Sequence, residues 1–95
     1  MPPHQLHLGM FFVYVLRSEK DGGLYIGSTN DLARRMNEHN SGQVQSTKLR
    51  TPLLLAYYEA YASEKDARHR ECSLKLHSRA FAQLKRRLEN TLKLR

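Results

Sequence analysis

The stretch from Phe11 to Gly42, FFVYVLRSEKDGGLYIGSTNDLARRMNEHNSG, constrains the fold more than any other part of this chain. Phe11 to Arg17 is a short apolar run rich in aromatic and β-branched residues. It predicts a strand covered on both faces, with Tyr14 on the same face as Phe12 and Leu16. Ser18 to Gly23 is charged and ends in Asp-Gly-Gly, which tolerates positive φ, and Leu24 to Ser28 returns as a second strand. The result is a β-hairpin. Gly27 marks a bulge, a close approach of another backbone or ligand, or simply the end of that strand.

Ser28 and Thr29 both suit an N-cap, and Asn30 and Asp31 put polar and acidic groups where the helix dipole favours them. A helix is therefore predicted from here to about Asn40, with Gly42 as its stop. On its wheel Leu32 and Met36 mark the inward side, His39 falls between them and Arg35 lies at their flank. Both polar residues are thereby held against the hairpin. Each has an ordinary reading as well, a structural ion pair or snorkelling side chain for Arg35 and a satisfied buried group for His39.

Gln43 to Pro52 is polar and basic and reads as a loop that offers Lys48 and Arg50 to a phosphate backbone, or as solvated linker. Leu53 to Tyr61, LLLAYYEAY, has the length and composition of a third strand. Ser63 then caps a helix whose wheel puts Ala67, Glu71 and Leu74 on one face. A carboxylate on an apolar stripe must find a cation, a metal or hydrogen-bond donors, or else serve in an ordinary i,i+4 pair with Lys75. Cys72, in the same helical pattern, reads as a small packing residue. After a break around His77 and Ser78, Phe81, Leu84, Leu88 and Leu92 recur at helical spacing, predicting a third helix. Its outer face carries Arg79, Lys85, Arg86, Arg87 and Lys93 against one acid, Glu89, a surface suited to a phosphate backbone or to plain solvent.

Composition narrows the function classes. At 95 residues the chain fits one domain, which buries roughly 60 to 65% of its unfolded surface. Lysine plus arginine outnumber aspartate plus glutamate by 16 to 9, giving a net charge of +7, and such a balance favours a polyanionic partner. A single cysteine rules out an intramolecular disulfide and suits a reducing compartment such as the cytoplasm. No apolar run is long enough for a membrane span, and His4, His7, His69 and His77 form no zinc-ligand pattern with Cys72. Residues 1–10 lack the basic start and apolar core of a secretory signal and are expected to form a loosely ordered leader to a domain at 11–92.

Taken together, Val13-Tyr14-Val15, then Tyr25-Ile26-Gly27 eleven residues on, Arg35 and His39 one helical turn apart, Tyr57-Tyr58-Glu59, and Arg70-Glu71 before Leu74-Lys75 resemble the GIY-YIG nuclease superfamily. The likeness is to its small stand-alone bacterial members and spans about residues 11 to 90. It implies an α+β fold with a three-stranded antiparallel sheet flanked by about three helices. It also implies hydrolysis of DNA phosphodiesters, with RNA left open, using one magnesium or manganese ion. By the same resemblance Glu71 would hold the ion, a task suited to a hard carboxylate that leaves most of the shell to water and phosphate. Tyr14 would activate or position the attacking water, Arg35 would stabilise charge on the phosphate, and Tyr25 would orient groups by hydrogen bonding. His39 competes with Tyr14 for the role of base.

The match has departures. Phe12 and Val13 stand where the first motif has Gly and Ile, and the Asn found late in several active relatives has no clear counterpart, Gln83 lying near the expected spacing and Asn90 seven residues later. No second DNA-binding domain accompanies the motifs, so target choice is expected to be weak or supplied by a protein partner. The alternative is a nucleic-acid binding module, or a subunit of a larger complex, that does not cut.

Overall fold

The computed structural model describes residues 9–93, so all but the last two residues of the expected leader lie outside the described residues. Its elements run β1 (Phe11–Ser18), β2 (Leu24–Thr29), α1 (Leu32–Asn40), β3 (Leu53–Tyr61), α2 (Glu64–Leu76), α3 (Ser78–Arg87) and α4 (Glu89–Lys93). The three strands form one antiparallel sheet in the order β2-β1-β3. This is the expected α+β architecture. β1 is the central strand, so Phe12 to Leu16 are buried on both faces, as an apolar run without alternation requires.

Alternation along β1 divides the interior into two cores. Val13 and Val15 pack with Ile26 against Ala67 and Leu74 of α2, Leu84 of α3 and Leu88. Tyr14 and Leu16 pack on the other face with Leu53, Tyr25, Leu32 and Met36, so α1 covers that side. The register sets Tyr14 opposite Gly27 in β2 and opposite Tyr58 in β3. A bulge between Val15 and Leu16 in the β1–β3 ladder leaves Ala56 without a partner.

Three expectations are corrected. Asp31, and neither Ser28 nor Thr29, caps α1, its side chain accepting from Arg34 N at 3.0 Å. Ser28 and Thr29 complete β2 opposite Val13 and Phe12, and Thr29 Oγ1 bonds the Asp31 backbone to turn the chain into the helix. Cys72 is exposed. Ala67 and Leu74, seven residues apart, fix the buried line of α2, and Cys72 falls about 200° from Leu74 on the wheel while Glu71 falls at the edge of the stripe. The third helix is divided at Leu88, whose N–H reaches both Leu84 O and Lys85 O at 3.1 Å and tightens the turn, although Leu88 keeps its place in the core. Ser63 does cap α2, accepting from Asp66 N.

Long side chains lock the ends of these elements together. Arg70 of α2 sends Nε and Nη2 to the two oxygens of Glu59 in β3 at 2.9 and 3.0 Å, and the Tyr57 and Tyr61 phenols donate to the same carboxylate. Burial pushes the Glu59 carboxyl up, but Arg70 and the two phenols outweigh it and hold it below the usual range, while burial and the Glu59 hydrogen bonds push both tyrosines to about 12. Asn40, at the end of α1, pairs with the first residue of β3, accepting from Leu53 N at 2.7 Å and donating to Leu53 O at 2.9 Å. Among the described residues no helix is long and apolar enough to cross a membrane.

Replacing Asn40 by Ala leaves both Leu53 backbone groups without these partners. Chemical denaturation should show a loss of about 1 to 3 kcal/mol.

Candidate active site at the edge of β2

The Tyr14 side chain leaves the central strand on the α1 face and is 1% exposed. A buried phenol oxygen needs partners. Arg35 and His39 supply them, because residues four apart on α1 lie on one side of the helix. His39 Nε2 is 2.9 Å from the phenol oxygen and Arg35 Nε is 3.4 Å from it. His39 is itself fully buried, and its Nδ1 lies 2.7 Å from Oγ1 of Thr47, also fully buried, in the segment between α1 and β3. Arg35 can only donate, so the Tyr14 oxygen accepts from it and directs its proton to Nε2; Nδ1–H then donates to Thr47. This bonding pattern assigns the tautomer.

Gly27 makes the arrangement sterically feasible. A Cβ there would lie 2.5 Å from Tyr14 Cζ, so any other residue opposite Tyr14 displaces the ring. The expected readings of this glycine are corrected: it lies inside β2, and what comes close is neither a backbone nor a ligand but the Tyr14 side chain. Tyr25 closes the cluster, its ring centroid 5.2 Å from that of His39 and 6.5 Å from that of Tyr14, with its phenol accepting from Ser46 Oγ at 3.4 Å.

Burial and charge set the protonation states. Burial pushes the Tyr14 phenol up, and the Arg35 hydrogen bond and charge offset this only in part. Burial, assisted by the Arg35 charge, pulls the His39 imidazole down. The pair is therefore a neutral phenol beside a neutral imidazole at pH 7. Arg35 is raised by its bonds to Tyr14 and Glu38.

Glu71 approaches from the other face of the sheet. Ser28, on the β2 face shared with Ile26, donates to its Oε1 at 2.6 Å, and Lys75 donates to its Oε2 at 2.7 Å. Burial pushes this carboxyl up, but the Lys75 and Ser28 hydrogen bonds more than offset it, so Glu71 is ionised well into mild acid. The ordinary i,i+4 pair with Lys75 is thus present, and a strand hydroxyl is added to it. Lys75 Nζ also lies 6.0 Å from the Tyr25 ring centroid, and the Glu71 charge is felt by Tyr14, so the two halves of the site meet around β2, an outer strand of the described sheet.

Among the described residues no three His, Cys, Asp or Glu side chains gather as a metal cage. The donors at Glu71 nevertheless suit a single hard ion: one ionised carboxylate, 21% exposed, a neutral hydroxyl beside it, and an ammonium standing where a cation would sit on Oε2. Next to it a cleft of about 280 Å³ opens between the start of α1 and the first turns of α2, walled by Ser28, Arg34, Arg35, Glu64 and Arg68, with Phe11 also lining it.

The structure thus brings together Tyr14, Tyr25, Arg35, His39 and Glu71. It does not gather the expected nucleic-acid contacts into that cleft. Lys48, Arg79, Lys85 and Arg86 are exposed elsewhere, Lys85 over the Phe81 ring, and Arg50 is paired with Asp21 at 3.2 Å. Lys75 stands where the i,i+4 reading put it, whereas the places of Ser28, Thr47, Arg34 and Arg68 around the site escape a sequence reading. Only Ser28 had a usable signal, its alternation with Ile26 onto the α2 face.

The model of the GIY-YIG catalytic domain matches residues 10–89, and the chain belongs to that family of nucleases, whose substrate is DNA and which generally use a divalent metal. It is 38% identical over 69 residues to the UPF0213 protein SSP2268 of Staphylococcus saprophyticus, covering 72% of this chain and 83% of the relative. A UPF0213 protein of Bacillus pumilus is 41% identical over 69 residues, 72% of this chain and 69% of its own. The solution NMR structure of the UPF0213 protein BH0048 from Bacillus halodurans superposes with a TM-score of 0.50 at 35% identity, covering 79% of this chain and 81% of that one.

A histidine whose folded pKa is depressed makes the unfolded state the better proton binder once pH falls below about 6.5, so stability should drop from there toward the lower folded value. Thermal melts between pH 7.5 and 5.5 should show this decline in the wild type. A His39→Gln variant should be less stable at pH 7.5 and show a flatter dependence.

Proposed function

We propose that this chain is a metal-dependent DNA endonuclease whose reaction takes place around the edge of β2, on branched, damaged or single-stranded DNA in repair or recombination. The observation that carries this reading is the convergence of the Tyr14–His39–Arg35 cluster and the Glu71–Ser28 pair on that edge.

Arg35 bonds Tyr14 through Nε and lines the adjoining cleft, and its side chain is 33% exposed. It is placed to hold a non-bridging phosphate oxygen and to stabilise the charge that builds there as the attacking oxygen bonds to phosphorus. A phenol with a raised pKa is a poor base alone. His39 removes the difficulty: as Tyr14 accepts a proton from the attacking water, its own proton passes to His39 Nε2, and no free phenolate is needed at pH 7. His39, with no exposed surface, acts only through Tyr14, so the two rival bases are one unit. Thr47 holds the imidazole in the accepting tautomer, and Tyr25 packs against its ring. Glu71 would hold the ion, the rest of its shell coming from water and phosphate. A bound magnesium or manganese ion supplies charge neutralisation at the phosphate and lowers the pKa of a water in its shell. Lys75 must leave Oε2 for this to happen, a small cost for a lysine 44% exposed.

The +7 charge and the exposed Lys48, Arg79, Lys85 and Arg86 support general affinity for a polyanion, with target choice weak or supplied by a protein partner. The same charge, with the absent late Asn, motivates the second reading, a binding module that does not cut.

Labelled single-stranded, duplex, flap and four-way junction DNAs should be cut by the wild type with magnesium or manganese under single-turnover conditions. Glu71→Ala should abolish cutting, and Tyr14→Phe should slow it about 10²-fold or more. Salt-sensitive binding without cutting at any metal concentration would make this a recognition module instead.

A further inference from the structure

The cleft beside Arg35 contains more positive charge than one phosphate needs. Three arginines, Arg34, Arg35 and Arg68, face it against one carboxylate, Glu64, and they come from two elements, α1 and α2, on opposite sides of the opening. Arg35 is committed to Tyr14 and Glu38. The side-chain hydrogen bonds of Arg34 and Arg68 go to Asn30 and Glu64, outside the Tyr14 cluster. Arg34 bonds Asn30 at 3.0 Å and its Nε stands 3.7 Å from Glu38 Oε2, and Arg68 sends Nε and Nη2 to a single oxygen of Glu64, which leaves the rest of its guanidinium without a partner in that pair.

These partnerships are easily exchanged; the Arg34 guanidinium is 56% exposed and its distance to Glu38 is long for an ion pair. The Arg68 and Glu64 side chains are 72% and 53% exposed, and such an i,i+4 pair is only weakly stabilising. A phosphodiester offers a guanidinium two oxygens and a full negative charge, which a half-solvated carboxylate shared with water does not match. The cleft is also continuous with the reaction site, since Ser28 lines it while donating to Glu71, and Arg35 lines it while donating to Tyr14.

We propose that Arg34 and Arg68 form a second phosphate subsite, gripping the phosphodiester next to the one held at Arg35 and Glu71, with Glu64 as the carboxylate that this phosphate displaces. This rests on the nuclease reading for which phosphate is cut, but its binding prediction does not. The subsite requires a substrate with a phosphate on at least one side of the scissile bond, and it fixes the register of the strand along the β2 edge. Arg68 and Arg34 are positioning residues, acting on substrate placement and not on the bond being broken.

The test is binding without magnesium or manganese, in EDTA, of two probes by ¹⁵N-resolved NMR titration: a dinucleoside monophosphate, with one phosphodiester, and a trinucleoside diphosphate, with two. The wild type should bind the second probe more tightly. Arg68→Ala should weaken the two-phosphate probe by several-fold to about tenfold and leave the one-phosphate probe unchanged; Arg34→Ala/Arg68→Ala should remove the difference between the probes. Glu64→Gln should tighten the two-phosphate probe. Lys20→Ala, which removes the same charge from an exposed site in the hairpin turn at the other end of β1, should alter neither. Equal weakening of both probes by Arg68→Ala and Lys20→Ala would reduce the effect to net charge and overturn the subsite, as would wild-type affinity for both probes in the double variant. In single-turnover cleavage Arg68→Ala should raise the substrate concentration for half-maximal rate and leave the maximal rate unchanged. A wild type that binds with the expected probe difference but never cuts would retain the subsite and reject the nuclease reading.

Discussion

The buried hydroxyl of Tyr14 is the constraint on which this structure turns. It sits at the middle of the central strand, where an apolar side chain would satisfy packing without further demands. A phenol there requires hydrogen-bond partners, and these come from α1 through Arg35 and His39 and from the following segment through Thr47. One hydroxyl thus fixes the rotation of α1, the position of the Gln43–Pro52 loop and the identity of residue 27, where only glycine leaves room for the ring. No described buried side-chain polar atom is left without a partner. A chain of satisfied buried groups is rigid because removing any member strands its neighbour.

α2 supplies the complementary constraint. Two consecutive residues, about 100° apart on the helix, are tied to strands on opposite sides of β1: Arg70 to Glu59 in β3, and Glu71 to Ser28 in β2. The Arg70 pair is bidentate and reinforced by two tyrosines, so it fixes the roll of the helix. Glu71 is thereby held at the β2 edge and cannot retreat into solvent. In the proposed function this ionised carboxylate, held by a strand hydroxyl and a partly exposed ammonium, would exchange Lys75 for a metal ion.

Much of this was legible in the sequence because it depends on period. The two-residue period of a strand put Tyr14 on one face with Phe12 and Leu16, and the wheel of α1 brought Arg35 and His39 to one side of their helix; LLLAYYEAY gave β3 with the observed ends. Glu71 stood out because a carboxylate at the edge of an apolar stripe needs a reason. Residues paired through tertiary contacts were not legible. Thr47 and Ser46 lie in a segment without periodicity, and nothing local marks Thr47 as fully buried. Cap chemistry misled at Ser28 and Thr29, since a strand ladder and a helix start compete for the same small polar residues and here the ladder with Val13 and Phe12 extends through both. Arg34 and Arg68 read as solvated charges until the cleft between their helices is seen.

The most direct test of a single-ion site shared between α2 and the β2 edge is manganese mapped by paramagnetic broadening in ¹⁵N NMR spectra. Broadening should centre on the amides of Ser28 and Glu71, extend to Gly27 and Tyr25, and vanish in Glu71→Gln while that variant keeps its fold. Broadening that instead follows the exposed acidic residues, or survives Glu71→Gln, would contradict the account.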